Sequence, residues 1–334
     1  MRTRLTELFG LRYPIVSAPM VFQSGGDLAG AVSKAGGLGS FGAVAPKPGA
    51  ITLSYIADNL ARVRQTTDKP FGIGFITPFI GANRPNFDYV LSEDVPVIML
   101  SFGDPRPWIS LAKARGRAVL CQVQTMEEAR IAVGEGADGI TVQGEASGGH
   151  CGERSLLPFL AEAADAFPQT PVMAAGGLGD GRTLAAVLAA GASGAWIGTA
   201  FRAVTECAET PEEDRQAILR SDGRDTVRSS VVDIVNHGAC GGLVWPGGIA
   251  MRTQINPLLE RWHGDEDSLA AAVTAAPEDF ADLWDNPAAP NYPRLFGEAA
   301  QFVSQIETAE DFIRRITDEA EHLLARWNGA ADRG

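Results

Sequence analysis

The feature that most constrains the fold of this chain is a series of eight short apolar segments that alternate with longer helical ones. Each segment is apolar along nearly its whole length, which is typical of strands that are buried on both faces of a parallel sheet. The spacers are long enough for the crossovers of about a dozen residues or more that parallel pairing requires. The eight predicted strands are 13–18, 37–41, 71–75, 97–100, 118–123, 139–142, 171–175 and 194–198.

The number of strands and the positions of the glycines favour a closed α/β barrel, the (β/α)8 or TIM barrel, over an open doubly wound sheet. Beyond residue 202 the chain becomes rich in Asp, Glu, Pro and Gly with short helical patches, which predicts a mostly helical insertion. An amphipathic pattern from Ala309 to about residue 327 then predicts the last barrel helix. The predicted domains are a barrel of residues 1–202 and 306–330, and an insertion of residues 203–305 over the barrel mouth.

Charge and cysteine content bear on the partners and location of the chain. Among 334 residues, 41 are Asp or Glu and 28 are Lys or Arg, for a net charge of −13. Such a surface repels nucleic acid and anionic lipid, and the apolar runs are too short to span a membrane. No signal-peptide core follows the N-terminus, so we expect a cytoplasmic protein. The four scattered cysteines predict no metal site, and a homodimer is left open.

The sharpest candidate for chemistry is His150, in a glycine-rich loop directly after the sixth predicted strand. The flanking Gly148 and Gly149 let the imidazole reach into the barrel mouth and let the backbone approach a ligand. Histidine is suited to removing a moderately acidic carbon-bound proton near neutral pH. A lone histidine is more often structural, but barrel enzymes build their sites at this end of the strands. We therefore predict that His150 is a catalytic base.

Two glycine-containing turns follow the seventh and eighth predicted strands, at Gly176-Gly177 and at Gly198-Thr199. Adjacent glycines let N–H groups approach an anion, and barrels frequently bind a phosphate after strands seven and eight. Glycine-rich turns also occur for packing alone. The dinucleotide pattern G-x-G-x-x-G is only loosely present at 177–181, so a Rossmann fold is disfavoured. We predict a phosphate at these two turns.

The segment Ala18-Pro19-Met20 follows the first predicted strand. Proline removes a backbone donor, and methionine offers a soft apolar surface that suits the face of a flat aromatic cofactor. Taken alone, the segment is better interpreted as a loop with a core methionine.

In their order and spacing, these motifs resemble the nitronate monooxygenase family, formerly called 2-nitropropane dioxygenases. The resemblance runs through the barrel and continues into the insertion and the last helix. The segments that carry it are 14–20, 35–39, 148–150, 174–177, 198–199, Trp245-Pro246, Arg252, Asn256, Arg261-Trp262 and 310–324.

The resemblance implies non-covalent FMN and no metal. It places the phosphate on Gly176, Gly177, Gly198 and Thr199. The remaining expected cofactor contacts are Ala18, Pro19 and Met20 near the ring, the polar Gln122 and Gln143, and Gly74, Gly148 and Gly149.

The resemblance also implies a reaction. His150 would take the α-proton of a nitroalkane or hold an already formed nitronate. Electrons would pass from the nitronate to the flavin, and O2 would complete the conversion to a carbonyl compound and nitrite. The implied partners are therefore a small nitro or nitronate substrate and O2.

The chain departs from the family pattern at three positions. Ala146 stands where the family usually has an acidic residue, with Glu145 one place earlier. Gly74 stands where the family often has asparagine, and Cys151 where glycine is common.

Three alternatives remain open from the sequence. One is an FMN-dependent NAD(P)H reductase of the enoyl-acyl-carrier-protein reductase type, which carries a similar Gly-Gly-His loop. Another is a non-catalytic flavin-binding barrel, and a third is a barrel that binds a sugar phosphate and no flavin.

Overall fold

The structure is a computed structural model that describes residues 1–331 of the chain. Eight parallel strands form the barrel, and three further strands, one of which is β7, form a small separate sheet. The strands are β1 (Ile15–Ser17), β2 (Gly39–Gly42), β3 (Phe71–Ile76), β4 (Val97–Ser101), β5 (Ala118–Val123), β6 (Gly139–Gln143), β7 (Gly149–Cys151), β8 (Val172–Ala175), β9 (Gly194–Ile197), β10 (Thr226–Ser229) and β11 (Ala250–Gln254).

The barrel strands lie in the order β1-β9-β8-β6-β5-β4-β3-β2. A parallel bridge between Val16 and Leu38 brings β1 beside the start of β2 and closes the ring. The prediction of a TIM barrel is confirmed, and every predicted strand boundary lies within two residues of the observed one.

Helices surround the barrel and fill the insertion. They are α1 (Arg4–Phe9), α2 (Gly26–Ala35), α3 (Leu53–Thr66), α4 (Arg84–Ser92), α5 (Arg106–Lys113), α6 (Met126–Gly134), α7 (Leu156–Ala166), α8 (Gly181–Ala189), α9 (Glu212–Arg220), α10 (Val231–Gly238), α11 (Pro257–Trp262), α12 (Glu266–Ala275) and α13 (Ala309–Ala331). The last helix packs against α8 and α2, so it completes the outer ring as the eighth barrel helix.

The nearly continuous apolar character of the strands follows from burial on both faces. In β4, Val97 and Met99 belong to the cluster inside the barrel, whereas Ile98 and Leu100 pack in the layer below the helices. Leu5 of α1, a helix that we did not predict, also belongs to the inner cluster. The barrel interior is therefore a packed core at the amino-terminal ends of the strands, and a site can form only at their carboxyl-terminal ends.

The segment after β9 contains four helices and also two strands that we did not predict. Strands β10 and β11 pair antiparallel, and β11 also pairs with β7, so that Met251 lies opposite His150. The predicted loop around His150 is thus partly a strand, because a partner 100 residues away supplies its hydrogen bonds. No helix among residues 1–331 is long and apolar enough to cross a membrane. The division into barrel and insertion domains stays a prediction.

Candidate functional site

A cavity of about 640 Å³ opens at the carboxyl-terminal ends of the barrel strands. The ends of β3 to β6 and the loops after β1 and β2 form one side, and residues between 236 and 295 form the other. This volume lies within the range of about 300–1,000 Å³ that is typical of small-molecule and cofactor sites.

Nine of the thirteen predicted site residues line this cavity. They are Ala18, Pro19, Met20, Gly74, Gln122, Gln143, Gly148, Gly149 and His150. The other four, Gly176, Gly177, Gly198 and Thr199, lie at the ends of β8 and β9 beside the cavity without lining it. A Cβ atom on Gly198 would lie 3.3 Å from the sulfur of Met20, so the two groups are neighbours.

The turns after β8 and β9 have unused backbone donors. Among the hydrogen bonds of residues 1–331, none has the N–H of Gly176, Gly177 or Gly198 as its donor. Gly176 and Gly177 have φ of 101° and 73°, which other residues rarely adopt. The hydroxyl of Thr199 accepts from the N–H of Gly297 at 3.0 Å, and its O–H has no acceptor among the described residues. The corner therefore fits an anion held by backbone N–H groups.

Pro19 forms the apolar wall of the cavity because Gly74 leaves room for it. A Cβ atom on Gly74 would lie 2.3 Å from the Cβ of Pro19. Pro19 thus occupies the space into which any larger side chain at position 74 would extend. Met20, the next residue along the same loop, continues the wall.

The two glutamines have different positions. Gln122 is half-buried and lines the cavity with its amide uncommitted to any hydrogen bond among the described residues. The amide of Gln143 accepts from Nε2 of Gln124 at 2.9 Å and donates to the carbonyl of His150 at 3.0 Å. Gln143 therefore anchors the backbone of β7.

His150 is held by two residues of the inserted segment. Its Nε2 lies 2.7 Å from Oδ1 of Asp233 in α10, and the two side chains are only 11% and 15% exposed. Its ring stacks on Trp245, with centroids 3.5 Å apart and planes inclined by 15°. The imidazole is thus fixed by a carboxylate on one edge and by an indole across one face.

Aromatic side chains enclose this stack. The edges of Phe79 and Phe102 meet Trp245 at centroid distances of 5.0 and 5.1 Å. Phe102 has φ of 68° and Phe22, another lining residue, has φ of 59°. Bulky residues in this region are strained, and such strain is concentrated at functional sites.

Two thiols and one phenol near the site stay protonated at neutral pH. Burial raises the pKa of the Cys151 thiol, whose sulfur donates to the carbonyl of Glu145 at 3.5 Å. Burial likewise raises the pKa of Cys240, and burial followed by the carboxylate of Asp214 raises the pKa of Tyr292. Cys240 and Tyr292 are therefore neutral parts of the cavity wall, whereas His150 lines the cavity as an imidazole paired with a carboxylate.

Sequence reasoning missed Asp233 and gave Trp245 no role beside His150. The one signal for Asp233 was a charged residue inside the apolar run Val231–Val235. The carboxylate of Glu145 makes no hydrogen bond to His150 among the described residues and instead accepts from the hydroxyl of Ser155 at 2.6 Å. The carboxylate that reaches His150 comes from the insertion.

Comparisons with known proteins identify the family of the chain. The nitronate monooxygenase family model matches residues 2–85 and 79–238. A (3aS,4S,5R,7aS)-5-hydroxy-7a-methyl-1-oxo-octahydro-1H-indene-4-carboxyl-CoA dehydrogenase of Mycobacterium tuberculosis is 33% identical over 239 residues, 71% of this chain and 65% of that enzyme. The chain thus spans slightly less than two thirds of the length of this relative. A nitronate monooxygenase of Neurospora crassa is 30% identical, covering 93% of this chain and 90% of that one.

Solved structures extend the similarity to the whole chain. FabK from Thermotoga maritima superposes with a TM-score of 0.81 at 27% identity and covers 99% of both chains. A nitroalkane oxidase from Streptomyces ansochromogenes gives a TM-score of 0.75 at 26% identity, covering 96% of this chain and 98% of that one. The chain therefore belongs to the nitronate monooxygenase family of flavin-dependent oxidoreductases.

Proposed function

We propose that this protein is an FMN-dependent nitronate monooxygenase, which converts an alkyl nitronate and O2 into a carbonyl compound and nitrite. The observation that supports this most directly is that His150, which lines the cavity, pairs with Asp233 behind it, with Nε2 and Oδ1 2.7 Å apart. A buried imidazole–carboxylate pair is suited to the removal of a carbon-bound proton. Membership of the family supplies the class of reaction.

FMN fits the groups that the structure brings together. The unused N–H groups of Gly176, Gly177 and Gly198 suit its phosphate. The wall formed by Pro19 and Met20 suits the face of its ring, and the half-buried amide of Gln122 suits its polar edge. When bound, FMN supplies a two-electron acceptor that no side chain of the protein offers.

His150 removes the proton of the substrate, and the aromatic side chains around it exclude water. His150 accepts the α-proton of a neutral nitroalkane, and the resulting imidazolium lies between the carboxylate of Asp233 and the nitronate anion. Trp245 and Phe102 exclude water from this position. Charges interact more strongly in such an apolar site than in water, so the nitronate is held where it forms.

A second candidate is oxidation or reduction of an acyl thioester. The Mycobacterium tuberculosis relative is named as a carboxyl-CoA dehydrogenase and is more identical to this chain than the Neurospora crassa nitronate monooxygenase. Lys47 is exposed and lines the cavity, where its ammonium could bind the phosphates of a thioester carrier.

The two candidates are distinguished by an anaerobic absorbance titration of the purified protein reconstituted with FMN. Addition of an alkyl nitronate is expected to abolish the visible flavin bands, and admission of air is expected to release nitrite. His150→Asn is expected to lower turnover of a neutral nitroalkane by about 10²–10⁴-fold and to affect the nitronate far less. Flavin bands that respond only to NADPH or to an acyl-CoA would favour the second candidate. A protein that binds no flavin would contradict both.

A further inference from the structure

We propose that Asp233 is the positioning residue of His150: it keeps the proton on Nε2 and leaves Nδ1 as the atom that accepts the proton of the substrate. This proposal rests on the proposed function and adds to it the identity of the accepting atom.

The geometry of the pair determines which ring nitrogen carries the proton. Oδ1 of Asp233 lies 2.7 Å from Nε2, a distance typical of a hydrogen bond to a charged group. An ionised carboxylate only accepts hydrogen bonds, so Nε2 must be the donor. A neutral imidazole has one donor and one acceptor nitrogen, and Nδ1 is therefore the acceptor. Among the described residues, Nδ1 of His150 has no hydrogen-bond partner.

Asp233 has no competing structural role. Its second carboxylate oxygen is buried without a hydrogen-bond partner among the described side chains and backbone groups. Asp233 is the third residue of α10, where it could accept from free N–H groups of the first turn, yet its hydrogen bond goes to His150. The positive end of the helix dipole favours an ionised carboxylate at this position.

The other contacts of His150 fix its backbone and the plane of its ring, but they do not fix which edge of the ring faces Asp233. Gln143 holds the carbonyl of His150, and pairing with Met251 in β11 fixes the backbone. Stacking on Trp245 fixes the plane of the ring, but not which edge of the ring faces the insertion. A 180° flip would preserve the stack and would move Nε2 away from Asp233. The carboxylate therefore selects both the orientation and the tautomer.

The proton transfer involves only the nitroalkane, His150 and Asp233, and its atoms and electrons balance. The α-C–H bond of the nitroalkane breaks and its electron pair forms the C=N bond, the π pair of one N=O bond moves onto oxygen to give the nitronate, and the proton moves to Nδ1. The imidazolium is then stabilised by Asp233, since both side chains are largely shielded from water.

The kinetic test compares two substrates in the FMN-loaded enzyme. Asp233→Asn is expected to lower kcat/KM for a neutral nitroalkane by about 10²-fold or more, because an amide can also donate to Nε2 and place the proton on Nδ1. With a nitronate prepared in advance, no proton has to be removed, and kcat/KM is expected to change by no more than about threefold. An equal loss with both substrates would mean that Asp233 has only a structural role and would overturn the proposal.

The matched control is Asp267→Asn. Asp267 is exposed in the first turn of α12, so this change removes the same charge from a helix N-terminus without contact with His150. It is expected to leave kcat/KM for both substrates unchanged.

A second measurement does not depend on activity. The chain has four histidines, so ¹⁵N-histidine NMR spectra of the holoenzyme are tractable, and the His150 signals are those lost in His150→Asn. We expect a protonated Nε2 and an unprotonated Nδ1 in the neutral ring, and a changed pattern in Asp233→Asn. A proton on Nδ1 in the wild-type protein would overturn the proposal. If the wild type used neither nitro substrate, the proposed function would fail while the NMR spectra still decided the tautomer.

Discussion

At the scale of single residues, the shape of the cavity depends on glycines at positions where a neighbouring residue fills the space that a side chain would occupy. Gly74 is the clearest example, since Pro19 lies where its Cβ atom would be. The same holds for Gly148, where a Cβ atom would lie 2.4 Å from the backbone nitrogen of Gly297. These glycines let loops from separate parts of the chain approach closely enough to enclose one site.

Gly74→Ala is expected to lower the free energy of unfolding by about 1–3 kcal/mol, because the added methyl group must displace Pro19 in a packed wall. FMN affinity is expected to fall with it. Urea unfolding followed by circular dichroism measures the first effect. Gly134→Ala, at a position in α6 with no atom within 4 Å of the new Cβ, is the control and should not destabilise the protein. Equal urea midpoints for Gly74→Ala and the wild type would show that Pro19 moves without cost.

At the scale of secondary-structure elements, a buried ion pair joins the barrel to the insertion. Arg202 lies in the 3₁₀ turn after β9, and its Nη2 is 2.5 Å from Oδ2 of Asp214 in α9. Both side chains are 1% exposed, and Arg202 also donates to the carbonyl of Leu295. The guanidinium thereby connects the last barrel strand, the first inserted helix and the far end of the insertion.

Asp214→Ala is expected to destabilise the protein by about 3–5 kcal/mol, because it leaves the guanidinium of Arg202 buried without its counter-ion. Replacing both partners by Arg202→Met and Asp214→Leu is expected to cost less than the single change. Chemical denaturation of the three proteins provides the comparison. For the exposed pair of Arg84 and Asp88, Asp88→Ala is expected to cost no more than about 1 kcal/mol. A similarly small effect of Asp214→Ala would refute the role of the buried pair.

At the scale of the whole molecule, the cavity is shared by the barrel and the inserted segment. The wall of Pro19 and Met20 comes from the loop after β1, whereas Asn236 and Trp245, which also line the cavity, come from residues beyond β9. A ligand that contacts both parts therefore stabilises the folded chain as a unit, and the gain depends on its concentration relative to Kd.

FMN is expected to raise the thermal unfolding midpoint of the flavin-free protein, with a stabilisation of about 2.7 kcal/mol at a concentration of 100 times Kd. Riboflavin, which lacks the phosphate, is expected to give a clearly smaller shift at the same concentration, since it leaves the N–H groups of Gly176 and Gly177 unused. Differential scanning fluorimetry with both ligands, and with inorganic phosphate as the control, measures this difference. Identical shifts for FMN and riboflavin would rule out phosphate recognition at these turns.

The sequence by itself determined the barrel and one side of the site. Burial on both faces makes each strand a continuous apolar run, as in Val97–Ser101, and such local patterns can be identified without knowledge of the partners. His150 was singled out for a similar reason, because barrel enzymes build their sites at the carboxyl-terminal ends of the strands, whereas Met20 was assigned to the cofactor only through the family resemblance.

Only the tertiary structure decided what surrounds His150. Asp233 is 83 residues away along the chain, and nothing in the apolar run of α10 indicates which strand end its carboxylate will meet. β7 exists as a strand because β11 pairs with it, and Trp245 covers the imidazole of His150 because the inserted segment brings it there. The periodicity of apolar residues in the sequence indicates which face of a helix or strand is buried. It does not indicate which other helix or strand covers that face. For α10 and β7, the covering element depends on how the inserted segment packs on the barrel.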